Sequence, residues 1–434
     1  MAWGARAGVD DLLDKLKKPA TGKSLAVLSF RKLSEADVAK LAGAIAGNTM
    51  LEELYLSGHK LGPGGVTAFA DCLAVNKTLK HLSIGEDTLG DAGVAALCAG
   101  LSRNAQSGVK VWDLEHKAIG EAGASAIGDL LKTNTSVKSL NLARNPLTDA
   151  SIKALADGLA ANATSGLETL TLSDATITGQ ALSHLAGVVG QAQSSLQMLQ
   201  LSFNALVDAD ASFFAALGSN ASLKRLYLKE CKLNDAHAVA LSEALKTNTT
   251  LEEVDLSDNE LTTTAYEALA QALQSNKALK SLTLGNNKGG DAGAVALAES
   301  LAQSSTTLEF LDLSKNQLTH VGISKLLAVP KVKKLGLFNN ALGDGLEHVL
   351  PALLANHHIE TLDLGANALH EALSVQLFEA IHAHPSLKTL EVGGNSLGQD
   401  GHTALEKLRE VNRTLDVAVD KNAQNEDGSF DLES

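Results

Sequence analysis

Hydrophobic positions in this chain follow two alternating periods. Short runs such as Leu226-Tyr227-Leu228 and Val254-Asp255-Leu256 place apolar residues at every second position, which predicts strands with one face turned inward. Each run precedes a stretch of helical period: in GDAGVAALCAGLSRN, Val94, Leu97, Cys98 and Leu101 fall at i, i+3, i+4 and i+7 and form one apolar helix face. The alternation is a repeat. Aligned on L-x-x-L-x-L-x-x-N-x-L, thirteen repeats begin at Leu51, Leu79, Val109, Val137, Leu167, Leu196, Leu223, Leu251, Leu279, Leu308, Val332, Ile359 and Leu387. Most spacings are 28 or 29 residues, the repeat from Leu308 is shortest at 24, and a degenerate repeat from Leu25 (LAVLSFRKL) precedes the set.

Two sets of asparagines punctuate the pattern. The ninth position, where strand turns toward helix, is Asn145, Asn204, Asn259, Asn287, Asn316, Asn340, Asn367 and Asn395. An amide with two donors and an acceptor can satisfy backbone groups of its own and the neighbouring turn, so these residues are expected to stack as a buried hydrogen-bonded ladder. Cys231 holds the same position and is read as structural, while His59, Asp87, Lys117 and Ala175 interrupt the ladder and predict looser turns in the N-terminal half. The second set, Asn76, Asn104, Asn134, Asn162, Asn220, Asn248 and Asn276, falls where a left-handed helix stop is wanted. It accounts for glycosylation-like triplets such as Asn134-Thr135-Ser136 and Asn248-Thr249-Thr250.

Parallel strands sit about 4.8 Å apart and packed helices roughly 8 to 10 Å apart, so the array is expected to bend by roughly 20 to 27° per repeat with its strands inside. The repeats resemble the leucine-rich repeat family, in the long-repeat subtype of ribonuclease inhibitor, over roughly residues 25–414. That resemblance implies an α/β solenoid, an open horseshoe with parallel strands on the concave face and helices on the convex face. Residues 1–24 are expected to form an N-terminal cap, with Val9, Leu12, Leu13 and Leu16 on one helix face. Residues 25–414 form the array, and 415–434 a closing strand and an acidic flexible tail.

In this geometry the third, fifth, seventh and eighth positions of each repeat point out of the strand face. The partner-binding candidates there are Tyr55, Met198, Phe203, Arg225, Tyr227, Asp255, Phe310, Asp312 and Phe338, because exposed rings are the usual anchors of protein interfaces. At the second position Lys224, Glu252, Lys280, Glu309, Lys333, Glu360 and Lys388 alternate in sign, which predicts attraction between neighbouring strands.

Composition sharpens this picture. With 45% hydrophobic and 20% charged residues the chain is a folded globular protein, yet only 3% of it is aromatic, so thin layers of Leu, Ala and Asn must fill the core. Trp112 falls at a core strand position, whereas the candidate rings do not. A net charge of −14 repels phosphates and anionic lipid, so neither nucleic acid nor a membrane is an expected partner. The N-terminus carries acidic residues where a secretion signal would be basic and apolar, and no run of 18 apolar residues occurs. Cys72, Cys98 and Cys231 are odd in number and lack paired spacing, which points to a reducing, cytoplasmic compartment.

Catalytic chemistry is not expected. Gly22-Lys23-Ser24 matches part of a phosphate-binding loop, but its required first glycine is Lys17 and the segment leads into a strand. His357, His358, His382 and His384 gather late in the chain and read as polar loop residues rather than metal ligands, so no metal or cofactor is implied. The expected function is a non-enzymatic scaffold or adaptor with a protein partner in the concavity. The resemblance also implies alternatives: a cytoskeletal or ciliary component, or an activator of a Ran-like GTPase with an asparagine in an L-x-L-x-N-N segment. Leu335-Gly336-Leu337-Phe338-Asn339-Asn340 and Leu282-Thr283-Leu284-Gly285-Asn286-Asn287 match that segment, but they lie late in the array where the family's motif lies early.

Overall fold

The computed structural model describes residues 8–18, 22–191, 194–304 and 307–419; the expected acidic tail from Lys421 lies outside them. The chain divides into two compact halves, Met1–Leu226 and Tyr227–Ser434. In the N-terminal half, strands β1 (Ser24–Ala26), β2 (Glu53–Ser57), β3 (His81–Gly85), β4 (Val111–Asp113), β5 (Ser139–Asn141), β6 (Thr169–Thr171) and β7 (Met198–Gln200) pair in parallel, each with the next. Helices α1 (Asp10–Leu16), α2 (Glu35–Ala46), α3 (Gly62–Leu73), α4 (Gly90–Ser102), α5 (Glu121–Leu131), α6 (Asp149–Ala161), α7 (Gly179–Val189) and α8 (Ala211–Leu217) form the second layer. The boundary between the halves falls within β8 (Arg225–Tyr227).

The C-terminal half repeats the scheme. Its strands are β9 (Glu253–Asp255), β10 (Ser281–Thr283), β11 (Phe310–Asp312), β12 (Lys334–Gly336), β13 (Thr361–Asp363), β14 (Thr389–Glu391) and β15 (Asp416–Ala418), again parallel and in chain order. Its helices are α9 (Asp235–Leu245), α10 (Thr263–Ser275), α11 (Gly290–Gln303), α12 (His320–Leu327), α13 (Leu346–Ala355), α14 (Glu371–Ile381) and α15 (Gly398–Val411). Among the described residues no helix is long and apolar enough to cross a membrane.

Register explains the core. Leu25, Leu54, Leu82, Trp112, Leu140, Leu170 and Leu199 are successive cross-strand partners and are all buried, so the fourth position of every repeat adds one side chain to a single apolar file. The helix layer closes over it with residues such as Val94, Leu97, Cys98 and Leu101. At the N-terminal end α1 turns Val9, Leu12 and Leu16 inward, while Leu13 is only half-buried.

The second asparagine set works differently from the expectation. No member is left-handed; Asn162 has φ −107° and Asn276 φ −69°. Their value lies in the side chain. Asn104 Nδ2 donates to Leu73 O (2.8 Å) and Asn76 O (2.6 Å) of the preceding repeat, and Asn76, Asn162 and Asn276 bond in the same way. These amides satisfy helix-end carbonyls that have no partner inside their own helix. His384 takes over the role: its Nε2 lies 2.9 Å from Leu353 O and its Nδ1 accepts from Leu387 N at 3.1 Å, which explains a buried histidine without any metal.

Candidate functional site

Left-handed backbone recurs at one place in the turn. Gly58, His116, Arg144, Asp174, Phe203, Glu230, Asp258, Asn286, Lys315, Asn339, Ala366 and Gly394 all have positive φ, and each is the eighth residue of its repeat. The sharp reversal aims the ninth side chain inward. Asn145 Nδ2 donates to Leu114 O (2.8 Å) and Leu142 O (2.9 Å), while its Oδ1 accepts from Lys117 N (2.9 Å) and Ile119 N (3.0 Å). Asn204, Asn259, Asn340 and Asn395 make the same cross-repeat bonds through both ends of the amide. Asn287 and Asn316 also bridge to the preceding repeat, Asn316 through the hydroxyl of buried Tyr266. Asn367 donates to Leu337 O, but its buried Oδ1 has no hydrogen-bond partner.

The interruptions of the ladder are mostly filled. His59 Nε2 lies 3.2 Å from Val27 O, Ala175 N donates to Asn204, and Cys231 is fully buried with its N–H on Asn259. Lys117 is buried and sends its ammonium to Ser57 Oγ and Glu115 O, both at 2.8 Å; burial lowers its pKa against the pull of Asp113, Glu115 and Asp87. Only the turn at exposed Asp87 departs from the frame. There the positive φ moves one residue earlier, to Gly85, and a cleft of about 510 Å³ opens against Leu61, Val66, Glu86 and Leu89.

Among the partner-binding candidates, Phe203 stands apart. It is 44% exposed and sits at φ +65°, a conformation that a bulky side chain adopts only when its surroundings impose it. Arg225 is also exposed, whereas Tyr55, Met198, Tyr227, Phe310 and Phe338 are half-buried. Tyr55 leans on His81 with ring centroids 4.6 Å apart, and Phe338 lies so close over Gly365 that a Cβ there would come within 2.8 Å of its ring.

The acidic candidates turn back on themselves. Asp312 is buried, contrary to its expected exposure, and Asp255 is half-buried; their Oδ1 atoms accept from Ser314 N (2.9 Å) and Ser257 N (2.8 Å). Asp113, Asn141 and Asp363 make the same bond to the N–H two residues on, so an Asx-type closure of the strand end explains the acids at the fifth position. In the C-terminal half these carboxyls lie in one cross-strand file, Asp255, Thr283, Asp312, Gly336, Asp363 and Glu391. Burial, with the neighbouring acids adding to it, pushes Asp312 up to about 6 and Asp363 to about 7.

The charge alternation forms the pairs its spacing predicts. Lys280 meets Glu252 at 2.6 Å, Lys333 meets Glu309 at 3.0 Å and Lys388 meets Glu360 at 2.6 Å. Sequence patterning missed a second cross-repeat device on the helix side. Acids in the first turn of one helix cap the start of the next: Asp91 accepts from Gly120 N (2.7 Å), Asp149 from Thr178 N (3.0 Å), Asp235 from Thr262 N (2.7 Å) and Asp291 from Thr319 N (2.8 Å). A run of Asp at helix starts one repeat apart is the signal that would have found it. Asn286 and Asn339 are eighth-position turn residues, with Asn286 bonded to the Asp258 carboxylate. Burial pushes Cys72 and Cys98 up to about 12, and among the described residues no His, Cys, Asp or Glu group could hold a metal ion.

Repeated strand, turn, asparagine ladder and outer helix define a leucine-rich repeat solenoid, and the chain is a leucine-rich repeat protein. The pattern of that family, described as Leucine Rich repeat, matches residues 47–70, 75–98, 133–156, 247–270 and 304–327. The chain is 34% identical to the ribonuclease inhibitor of Sus scrofa over 139 residues, which is 32% of this chain and 30% of that protein. Among solved structures it is similar to leiomodin-1 actin-binding site 2 (28% identity, 23% of this chain and 59% of that one, TM-score 0.22). It is also similar to the yeast Rad7 and Elc1 complex (19% identity, 91% of this chain and 87% of that one, TM-score 0.49).

Proposed function

We propose that this chain is a non-enzymatic protein-interaction scaffold, and that a protein partner anchors at Phe203 on the strand-bearing side of the N-terminal half. The carrying observation is Phe203 itself, an open ring on left-handed backbone in a chain whose other large rings are largely packed. A phenylalanine there costs folding energy and exposes apolar surface, a combination that a binding role explains. The similar ribonuclease inhibitor inhibits a ribonuclease, as its name states, and repeats of that kind support a protein partner for this chain as well. Met198, Tyr55 and Arg225 supply further contacts in the same half. Affinity capture with cross-linking tests this: Phe203→Asp is expected to release partners that wild type retains, while Val411→Asp, at an equally open apolar site on α15, keeps them. Full retention by Phe203→Asp overturns the reading.

A further inference from the structure

The N-terminal end of the array leaves an apolar pair uncovered. Leu28 and Phe30 are 58% and 60% exposed, among the most open large hydrophobic side chains described. They occupy the seventh and ninth positions of the degenerate first repeat, as the pairing of Leu25 with Leu54 fixes. In later repeats the ninth side chain is mostly buried, as in His59 and Asn145. The cap helix α1 covers only the helix layer at this end, through Val9, Leu12 and Leu16. A solenoid end that is to stay in water needs its last layer shielded.

The chain itself leads a segment to this spot. Arg31 N closes the turn onto Leu28 O at 2.9 Å, and the Arg31 guanidinium grips Gly8 O through Nε (3.0 Å) and Nη2 (2.7 Å) while also pairing with Asp11. Gly8 N points to Lys32 O on the same turn at 3.5 Å. Residues 1–7 therefore begin beside Leu28 and Phe30. Five residues separate Gly8 from Trp3, enough to span about 17 Å when extended. Trp3 is one of two tryptophans in the chain, and the other, Trp112, is buried in the core.

We infer that residues 1–7 fold back over the first turn and that the Trp3 indole covers Leu28 and Phe30, so that the chain caps its own strand-side end. The seven-residue length, its start at the clamped Gly8 and the single large ring it carries select this occupant over a second copy. Intact protein gives the test through the Trp3 contribution, read as the emission of wild type minus that of Trp3→Phe. Expected is a blue-shifted Trp3 spectrum shielded from acrylamide. Leu28→Ser/Phe30→Ser should shift it red and raise its quenching several-fold without altering the far-ultraviolet circular dichroism. A Trp3 spectrum already that of indole in water in the wild type overturns the inference, as does one that ignores the double substitution. Shielding lost on dilution also overturns it and assigns the patch to a second copy. Because the wild-type spectrum decides by itself, a double variant that fails to fold does not spare the proposal.

Discussion

Phe203 and Tyr266 show how one residue is judged by what its backbone and neighbours demand. Asparagine suits the left-handed eighth position better than phenylalanine does, so Phe203→Asn is expected to raise stability by about 1 kcal/mol while it weakens partner capture. Urea unfolding checks the sign, and a lower midpoint refutes strain at this site. Tyr266 is the opposite case. Its buried hydroxyl lies against Asn316 Oδ1 and, at 3.1 Å, Leu284 O, so Tyr266→Phe should cost about 1 to 2 kcal/mol. Neither role was legible beforehand. The eighth position holds His, Arg, Phe, Asp and Ala without a common chemistry, and Tyr266 lies in a helix whose apolar face already accounts for it. The ninth-position asparagines were legible because one residue type recurs at one spacing.

Among the elements, the strands of the C-terminal half carry the main pH-dependent feature. Asp312 and Asp363 titrate near 6 and 7 when folded, above the roughly 3.9 of an unfolded aspartate. Folded protein thus holds the extra protons, so the stability these carboxyls contribute is full below about pH 4 and is lost as pH rises through 6 and 7. Asp363→Asn keeps an oxygen for Gly365 N, sheds the buried charge, and should stabilise at pH 7 by about 1 to 3 kcal/mol. The gain should vanish near pH 4. Denaturation midpoints of wild type and variant across that range decide it, and parallel curves would refute it. Sequence patterning placed these acids on an open face because alternation gives a side chain's direction. It does not register the turn N–H that draws the carboxyl back or the neighbouring file that shields it.

For the whole molecule, the printed ladder bonds run from one repeat to the next. Loss of one rung should therefore act mainly within its own half. Asn316→Ala removes the bonds to Leu284 O and Ser314 O and is expected to cost about 1 to 3 kcal/mol. It should lower the unfolding midpoint seen by circular dichroism more than the one seen by Trp112 fluorescence, which reports the N-terminal half. Coincident shifts by the two probes would contradict this. The fold at this scale was almost wholly legible, since thirteen repeats state the same strand and helix in register. What one repeat does for its neighbour was legible only on the strand side, through the asparagines and the alternating Lys and Glu.

The asparagine ladder also has an order. Each rung belongs to one repeat and serves the repeat before it: Asn259 reaches back to Leu228, and Asn287 reaches back to Leu256. Every interior repeat therefore gives on one side what it receives on the other, like a brick with matching peg and socket. Removing the whole segment 251–278 at its leading leucine would bring the Asn287 amide to the carbonyl that Asn259 had served, with no polar group left stranded. A chain built this way can lengthen or shorten by whole repeats, and its vulnerable places are the two ends, where a peg or a socket has no mate.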